Sequence, residues 1–265
     1  MSTSLDHSIP QTVRSDIESR LAAIETQHYV RILMAIESGS RAWGFPSPDS
    51  DYDVRFVYVH ARDWYLSLAP GRDVIETPIK DDIDLNGWDI RKALGLLLKS
   101  NAVVSEWTQS PIHYRADHPV IAALSALADR ALDPRALAHH YASLGRNAAD
   151  RWLEGDGDVP VKKYFYALRP ALAIRCLRLH PDARPPMNLQ ALIDGSDLTD
   201  EMRDDIAALV AAKLRTNERG NAMRIPMLDT VIRTELSRAD ELPVCKPESD
   251  IFGQANALFL ELVNA

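Results

Sequence analysis

Two runs rich in β-branched and aromatic residues, 30–37 and 53–60, flank a polar segment carrying Gly39-Ser40 and Asp51-Tyr-Asp53. Such runs favour buried strands, so an apolar strand runs into a Gly-Ser turn and a second strand opens on paired acids. Side chains two apart on a strand share a face, and Asp51 and Asp53 can therefore hold the same metal ions. Gly39 lets the backbone approach a phosphate closely, and Ser40 begins a segment whose free N–H groups can cradle it. A bare Gly-Ser or Asp-x-Asp is common by chance. This order and spacing, with ten residues between Ser40 and Asp51, is much rarer.

Two carboxylates seldom complete a two-metal site, and a third acid on a neighbouring strand usually supplies the base. Asp81-Asp-Ile-Asp-Leu-Asn-Gly-Trp-Asp89 offers one. Alternation puts Asp82, Asp84 and Asn86 on one face and Ile83 and Leu85 on the other. Asp84 is the natural third acid if this strand lies beside the one opening at Asp51, with Asp82 in reserve. The chemistry this implies is displacement at the α-phosphate of a nucleoside triphosphate (NTP). Metal held by Asp51, Asp53 and Asp84 would grip the triphosphate and activate the attacking hydroxyl. Hard oxygen donors suit Mg²⁺ or Mn²⁺ and not zinc. The competing plain reading is a glycine turn with solvated aspartates ahead of an ordinary strand.

Composition narrows the class. With 265 residues and a net charge of −8, the chain can bury a large core but lacks the basic balance of a nonspecific nucleic-acid binder. Residues 1–117 hold 12 Lys/Arg against 17 Asp/Glu, and 118–265 hold 18 against 21. The larger acidic excess therefore lies with the proposed metal site. A local basic face would still suffice for a nucleic-acid end. No run of about eighteen apolar residues exists, so no membrane span is expected. Cys176 and Cys245 stand far apart in no metal-ligand spacing, the pattern of free thiols in a cytoplasmic protein without a secretory leader.

The pattern predicts helices over 10–27 and 62–68, strands over 73–78 and 83–87, and an amphipathic helix marked by Ile90, Ala93, Leu94, Leu97 and Leu98 that ends near Lys99-Ser-Asn101. A short helix follows around Ser105, then an edge strand over 112–115. Beyond 117 nearly all reads as helix: 119–131, 134–154, 160–180, 187–194, 199–217, 223–238 and 250–263. The expected class is α+β. A mixed-sheet catalytic domain flanked by helices (1–117) precedes an all-helical domain (118–265), the boundary falling near 115–120, and Arg184-Pro-Pro186 and Leu242–Pro247 read as connecting loops.

The chain resembles the DNA polymerase β-like nucleotidyltransferases, with their Gly-Ser…Asp-x-Asp core and remote third acid. More narrowly, Glu37-Ser-Gly-Ser-Arg-Ala-Trp-Gly-Phe45 and Ser50-Asp-Tyr-Asp-Val-Arg-Phe-Val-Tyr58 look like the RlaP (YcgL-like) branch, which is predicted to act in RNA repair. The likeness continues in Asp84-Leu-Asn-Gly-Trp-Asp-Ile-Arg-Lys-Ala-Leu94, Lys99-Ser-Asn101, Glu106-Trp107, Ser110-Pro111 and Lys162-Lys-Tyr-Phe-Tyr-Ala-Leu-Arg-Pro170. It covers roughly residues 30–180. It implies Gly39 and Ser40 as phosphate binders, Asp51 and Asp53 as metal ligands and Asp84 as third acid. The implied acceptor of the nucleotide is an RNA 3′ end, a protein hydroxyl or a small molecule. A regulatory nucleotide binder without turnover, or an interaction module using the helical tail (199–263), are the readings from other classes.

Other residues carry weaker signals. Lys162, Tyr166 and Arg169 share one helix face that can bring two cations and a ring to a triphosphate or base, or can simply be rim residues with snorkelling stems. Arg41 can touch the leaving pyrophosphate or lie on the surface. Arg55 faces the same way as the acids, and a salt bridge ordering Asp53 is its expected role. Trp43 and Phe45 are expected to pack over the turn, Glu106 to be a buried acid or a helix-terminal acceptor, and His139-His140 to lie on a solvated surface. Pro170 should bend its helix by depriving the Tyr166 carbonyl of a partner.

Overall fold

A computed structural model describes residues 9–69, 71–150, 152–153, 155, 157–215, 220–246 and 249–265. Its first part runs α1 (Gln11–His28), β1 (Val30–Glu37), α2 (Ser40–Trp43), β2 (Tyr52–His60), α3 (Arg62–Tyr65), β3 (Val74–Glu76), β4 (Ile83–Asp89), α4 (Ile90–Leu97) and α5 (Ala102–Trp107). Then follow α6 (Val120–Arg130), α7 (Pro134–Ala149), β5 (Val159–Pro160), α8 (Val161–Leu179), α9 (Leu189–Asp194), α10 (Asp200–Arg215), β6 (Asn221–Ala222), α11 (Pro226–Leu236) and α12 (Ile251–Asn264). The protein is α+β, as the sequence pattern predicts. Arg151 and Glu154 in the expected helix 134–154, residues 216 and 217 in 199–217, and the loop residue Pro247 lie outside the described residues.

Several helices start where a side chain accepts otherwise orphaned backbone N–H groups. Asp89 caps α4, Asn101 caps α5, Asp133 caps α7 with Pro134 just inside, and Asn188 caps α9. Helix α8 runs through Pro170 without a break.

The four-stranded sheet has the order β1-β2-β4-β3, with β2 and β4 parallel and both outer pairs antiparallel. On one face Val54, Phe56, Tyr58, Ile83 and Leu85 pack against Ile17, Leu21 and Ile24 of α1. On the other, Leu33, Met34, Ile36, Val57 and Val59 pack with α4, α5, α6 and α12. Gly87 sits where a Cβ would overlap the Phe56 ring, so its lack of a side chain lets that ring lie across β4. The expected edge strand over 112–115 reduces to a single bridge beside β1, Ile36 with His113, extended by Glu37 N–H to Ile112 O (3.0 Å) and Tyr114 N–H to Ala35 O (2.9 Å).

The third cluster is helical, built on α7, α8, α9, α10 and α11. Phe45 from the β1–β2 connection reaches into it and stacks on Phe165 (4.4 Å between centroids). The elements become all helical, the two-residue pair β5–β6 aside, between Arg115 and Val120. The packing does not divide there: α6 lies on β1, and α12 returns to α4, α6 and β2.

Candidate active site

The site forms where β1 ends and β2 and β4 begin. Asp53 and Asp84 stand directly opposite each other in the parallel register. Arg55, two residues along β2, bridges them through Nη2, 3.2 Å from Asp53 Oδ1 and 2.8 Å from Asp84 Oδ2. Its Nη1 also donates to the Asp84 carbonyl (2.9 Å), and Asn86 Nδ2 donates to Asp84 Oδ1 (2.9 Å). The salt bridge expected of Arg55 is present and ties the two strands together. Asp51 stands one residue ahead of β2, within electrostatic reach of Asp53.

The Asp53 carboxyl is shifted up from its ordinary range. Burial is the largest cause, and Asp84 and Asp51 add to it, while Arg55 and Lys162 oppose it. Two other acids, Arg55 and a lysine from α8 thus act on Asp53, although they are drawn from residues 51 to 162. Against Asp53 lies Gly39, in extended conformation (φ −112°, ψ −155°), where any Cβ would overlap Asp53 Oδ2. Glycine is therefore required by contact with the acid, not by a left-handed backbone.

Asp82 does not share the strand face that carries Asp84. Strand β4 begins at Ile83, and Asp82 lies in the preceding turn with φ +59°, exposed, its carbonyl accepting the Tyr52 N–H (2.8 Å). The alternation that paired it with Asp84 does not reach it.

Ser40 is buried, and its hydroxyl donates to Ser50 Oγ (3.1 Å). It opens α2, a single turn that periodicity could not reveal. Arg41 Nη2 donates to Ser50 O (2.6 Å) and its guanidinium covers the Tyr52 ring (4.2 Å). Arg41 is half-buried, and its guanidinium holds the segment that carries Asp51. Trp43 and Phe45 pack as expected.

Of the α8 trio, Lys162 and Tyr166 are half-buried at the rim, and Lys162 Nζ lies 5.9 Å from the Tyr166 ring centroid. Tyr166 meets Trp43 edge to face (5.3 Å, 81°). Arg169 is a correction. It is buried, sits 4.2 Å from the Trp43 ring and pairs with Glu106 (2.7 Å), which also accepts the Tyr141 hydroxyl (2.8 Å). A guanidinium enclosed in that way holds α8 to α5 and does not reach an anion. Glu106 is the buried acid its sequence context allowed. His139 pairs with exposed Asp240, while His140 Nδ1 accepts the Ala102 N–H and is not simply solvated.

Glu37 escaped the sequence reading. It is fully buried, accepting the Asp53 N–H on Oε1 (3.1 Å) and the Tyr114 hydroxyl on Oε2 (2.5 Å). Burial pushes its carboxyl up to about 7, the Tyr114 hydrogen bond opposing and the Asp53 charge adding. An acid closing an otherwise apolar run was the available signal. Lys213 escaped as well. It falls on the same stripe of α10 as Ile206, Leu209 and Val210, a place for an apolar side chain.

The acids fit a hard divalent cation in kind: they are oxygen donors whose mutual repulsion a cation would relieve. Among the described residues, no group of three His, Cys, Asp or Glu side chains is arranged as a ready-made ligand set; Arg55 holds one oxygen each of Asp53 and Asp84.

A mixed sheet whose paired aspartates meet a Gly-Ser bend places the chain among DNA polymerase β-like proteins. It belongs to the RlaP family, described as the RNA repair pathway DNA polymerase beta family, whose model matches residues 13–261. It is also 39% identical over 255 residues to a Bacillus subtilis (strain 168) protein called "Uncharacterized protein YcgL", covering 95% of this chain and 96% of that one. Among the described residues no helix is long and apolar enough to cross a membrane.

Proposed function

We propose that this protein is a metal-dependent nucleotidyltransferase that moves a nucleoside monophosphate from an NTP to a hydroxyl acceptor, an RNA 3′ end by the family's association with RNA repair. The observation that supports this best is the in-register pair Asp53–Asp84 packed against Gly39.

Asp51, Asp53 and Asp84 would hold Mg²⁺ or Mn²⁺. When bound, the metal supplies charge neutralisation for the triphosphate and lowers the pKa of the attacking hydroxyl. Gly39 and Ser40 receive the phosphates, and Lys162 adds a cation at the rim. The acceptor oxygen bonds to the α-phosphorus, the bond to the β-phosphate bridging oxygen breaks, and pyrophosphate leaves. Asp84, held by Arg55 and Asn86, would take the acceptor's proton. The net charge of −8 suits an end held by few phosphate contacts better than a long duplex.

The test supplies each α-labelled NTP in turn, with Mg²⁺ or Mn²⁺, to the protein and to RNA, protein and small-molecule acceptors. Label on RNA, lost in Asp51→Ala and Asp53→Ala, is the expected result. NTP binding without transfer to any acceptor contradicts the enzymatic reading. Label on protein alone replaces the RNA acceptor.

A further inference from the structure

Lys213 occupies a core position on α10 yet ends in an ammonium group, and a buried charge of that kind is costly unless it is engaged. It donates to Ser47 Oγ (3.2 Å). Ser47 Oγ lies 2.9 Å from Ser50 Oγ, which also accepts the Ser47 N–H (2.9 Å) and the Ser40 hydroxyl (3.1 Å). All four side chains are buried: Lys213 is 2% exposed, Ser47 and Ser50 3%, and Ser40 7%. A line of hydroxyls therefore runs from the helical region to the serine of the Gly-Ser bend.

We infer that Lys213 is a positioning residue for anion binding: its donation to Ser47 supports the direction of the hydroxyl chain in which Ser40 turns its O–H toward a phosphate. The inference rests on the phosphate-binding role proposed for Ser40. An ammonium only donates, whereas each serine hydroxyl donates once and accepts. In this structure Ser40 donates inward to Ser50. When its O–H turns outward to a phosphate oxygen, Ser50 donates to Ser40, Ser47 donates to Ser50, and Lys213 fills the acceptor on Ser47. No bond is made or broken and no proton changes owner. Three hydroxyls rotate, and in the turned state each oxygen has a donor and an acceptor partner. Without the ammonium, the far end of the chain has no fixed donor to set that direction. Lys213 itself is too enclosed to touch the anion.

The probe is inorganic tripolyphosphate in Mg²⁺ buffer, which makes the result independent of the nucleobase. Its dissociation constant is measured by calorimetry for the full chain and for Lys213→Met, Ser47→Ala and Ser40→Ala, and for each of the first two combined with Ser40→Ala. Thermal unfolding checks that each variant folds. Lys213→Met and Ser47→Ala should each weaken binding about tenfold, the worth of roughly one hydrogen bond to a charged group, and should add less than about twofold once Ser40 is alanine. Ser47→Ala keeps the Ser47 N–H contact and decides the matter if Lys213→Met does not fold. Undiminished binding in either folded variant, or an equal loss without Ser40, overturns the relay while leaving phosphate binding intact. If the unaltered protein binds no tripolyphosphate, the phosphate role of Ser40 falls and the relay with it.

Discussion

Glu37 shows how one buried carboxyl links the acids to the stability of the sheet. It holds the Asp53 N–H and the Tyr114 hydroxyl, and its acidity stands at about 7 against an ordinary 4.5. The folded protein thus keeps a proton that the unfolded chain has released, and stability falls as pH rises between those values. This group's contribution is complete below the ordinary value and lost above about 7. Glu37→Gln is neutral at every pH: its Oε1 can still accept the Asp53 N–H, while its Nε2 donates to the Tyr114 oxygen instead of accepting from it. Relative to it, the unaltered protein should lose ~3 kcal/mol from about pH 5 to 8, read from urea midpoints. A difference that does not vary with pH would contradict the assignment. At Gly39 the expectation is functional: Gly39→Ala drives a Cβ into the Asp53 carboxylate. Transfer activity should fall at least about a hundredfold, as for a misplaced catalytic group, with the unfolding temperature little changed. Gly39→Ala activity near that of the unaltered protein would remove Asp53 from the reaction.

Between elements, the buried pair Arg169–Glu106 joins α8 to α5. Removing one partner of such a pair strands the other charge, typically at ~3–5 kcal/mol. Arg169→Met should destabilise by about that amount in denaturant unfolding, and Arg169→Met/Glu106→Gln should recover part of it. Were Arg169 instead a phosphate ligand, its loss would weaken tripolyphosphate binding at little cost in stability. The strands β1 and β2 were legible because β-branched and aromatic residues crowd them, β4 because apolar and polar residues alternate along it, and most helices because their apolar stripes recur. Helix α2 was not, since four residues carry no period, nor was the pair β5–β6, whose two-residue strands lie about sixty residues apart. Asp82 was misplaced because alternation cannot say where a strand begins; the left-handed backbone at Asp81 and Asp82 does. Arg169 was misread because helical spacing gives direction around the axis but not the neighbour that encloses it. The Gly-Ser bend and the acids were legible because their chemistry is local; Glu37 and Lys213 act through partners distant in sequence.

Over the whole molecule, the last helix closes the sheet that the first strands open. Ile251, Ala255 and Leu262 of α12 are buried in the same cluster as Leu94, Leu97 and Val57. Deleting residues 251–265 uncovers that cluster, and burying each large apolar side chain is worth about 1.5–3 kcal/mol. The truncated chain should be several kcal/mol less stable or insoluble, as circular dichroism and sedimentation would show; a fully stable one would mean that α12 is dispensable cover. Periodicity revealed this helix but could not reveal its partner, because an amphipathic stripe does not name the surface it meets. Strands β2 and β4 bring Asp53 and Asp84 together beside the Gly-Ser bend, and the account turns on that pairing. Label transfer from α-labelled NTP measured side by side in Asp84→Asn and Asp82→Asn tests it most directly. The account predicts that Asp84→Asn abolishes transfer while Asp82→Asn stays within about twofold of the unaltered protein. Full activity in Asp84→Asn, or its loss in Asp82→Asn alone, would contradict it.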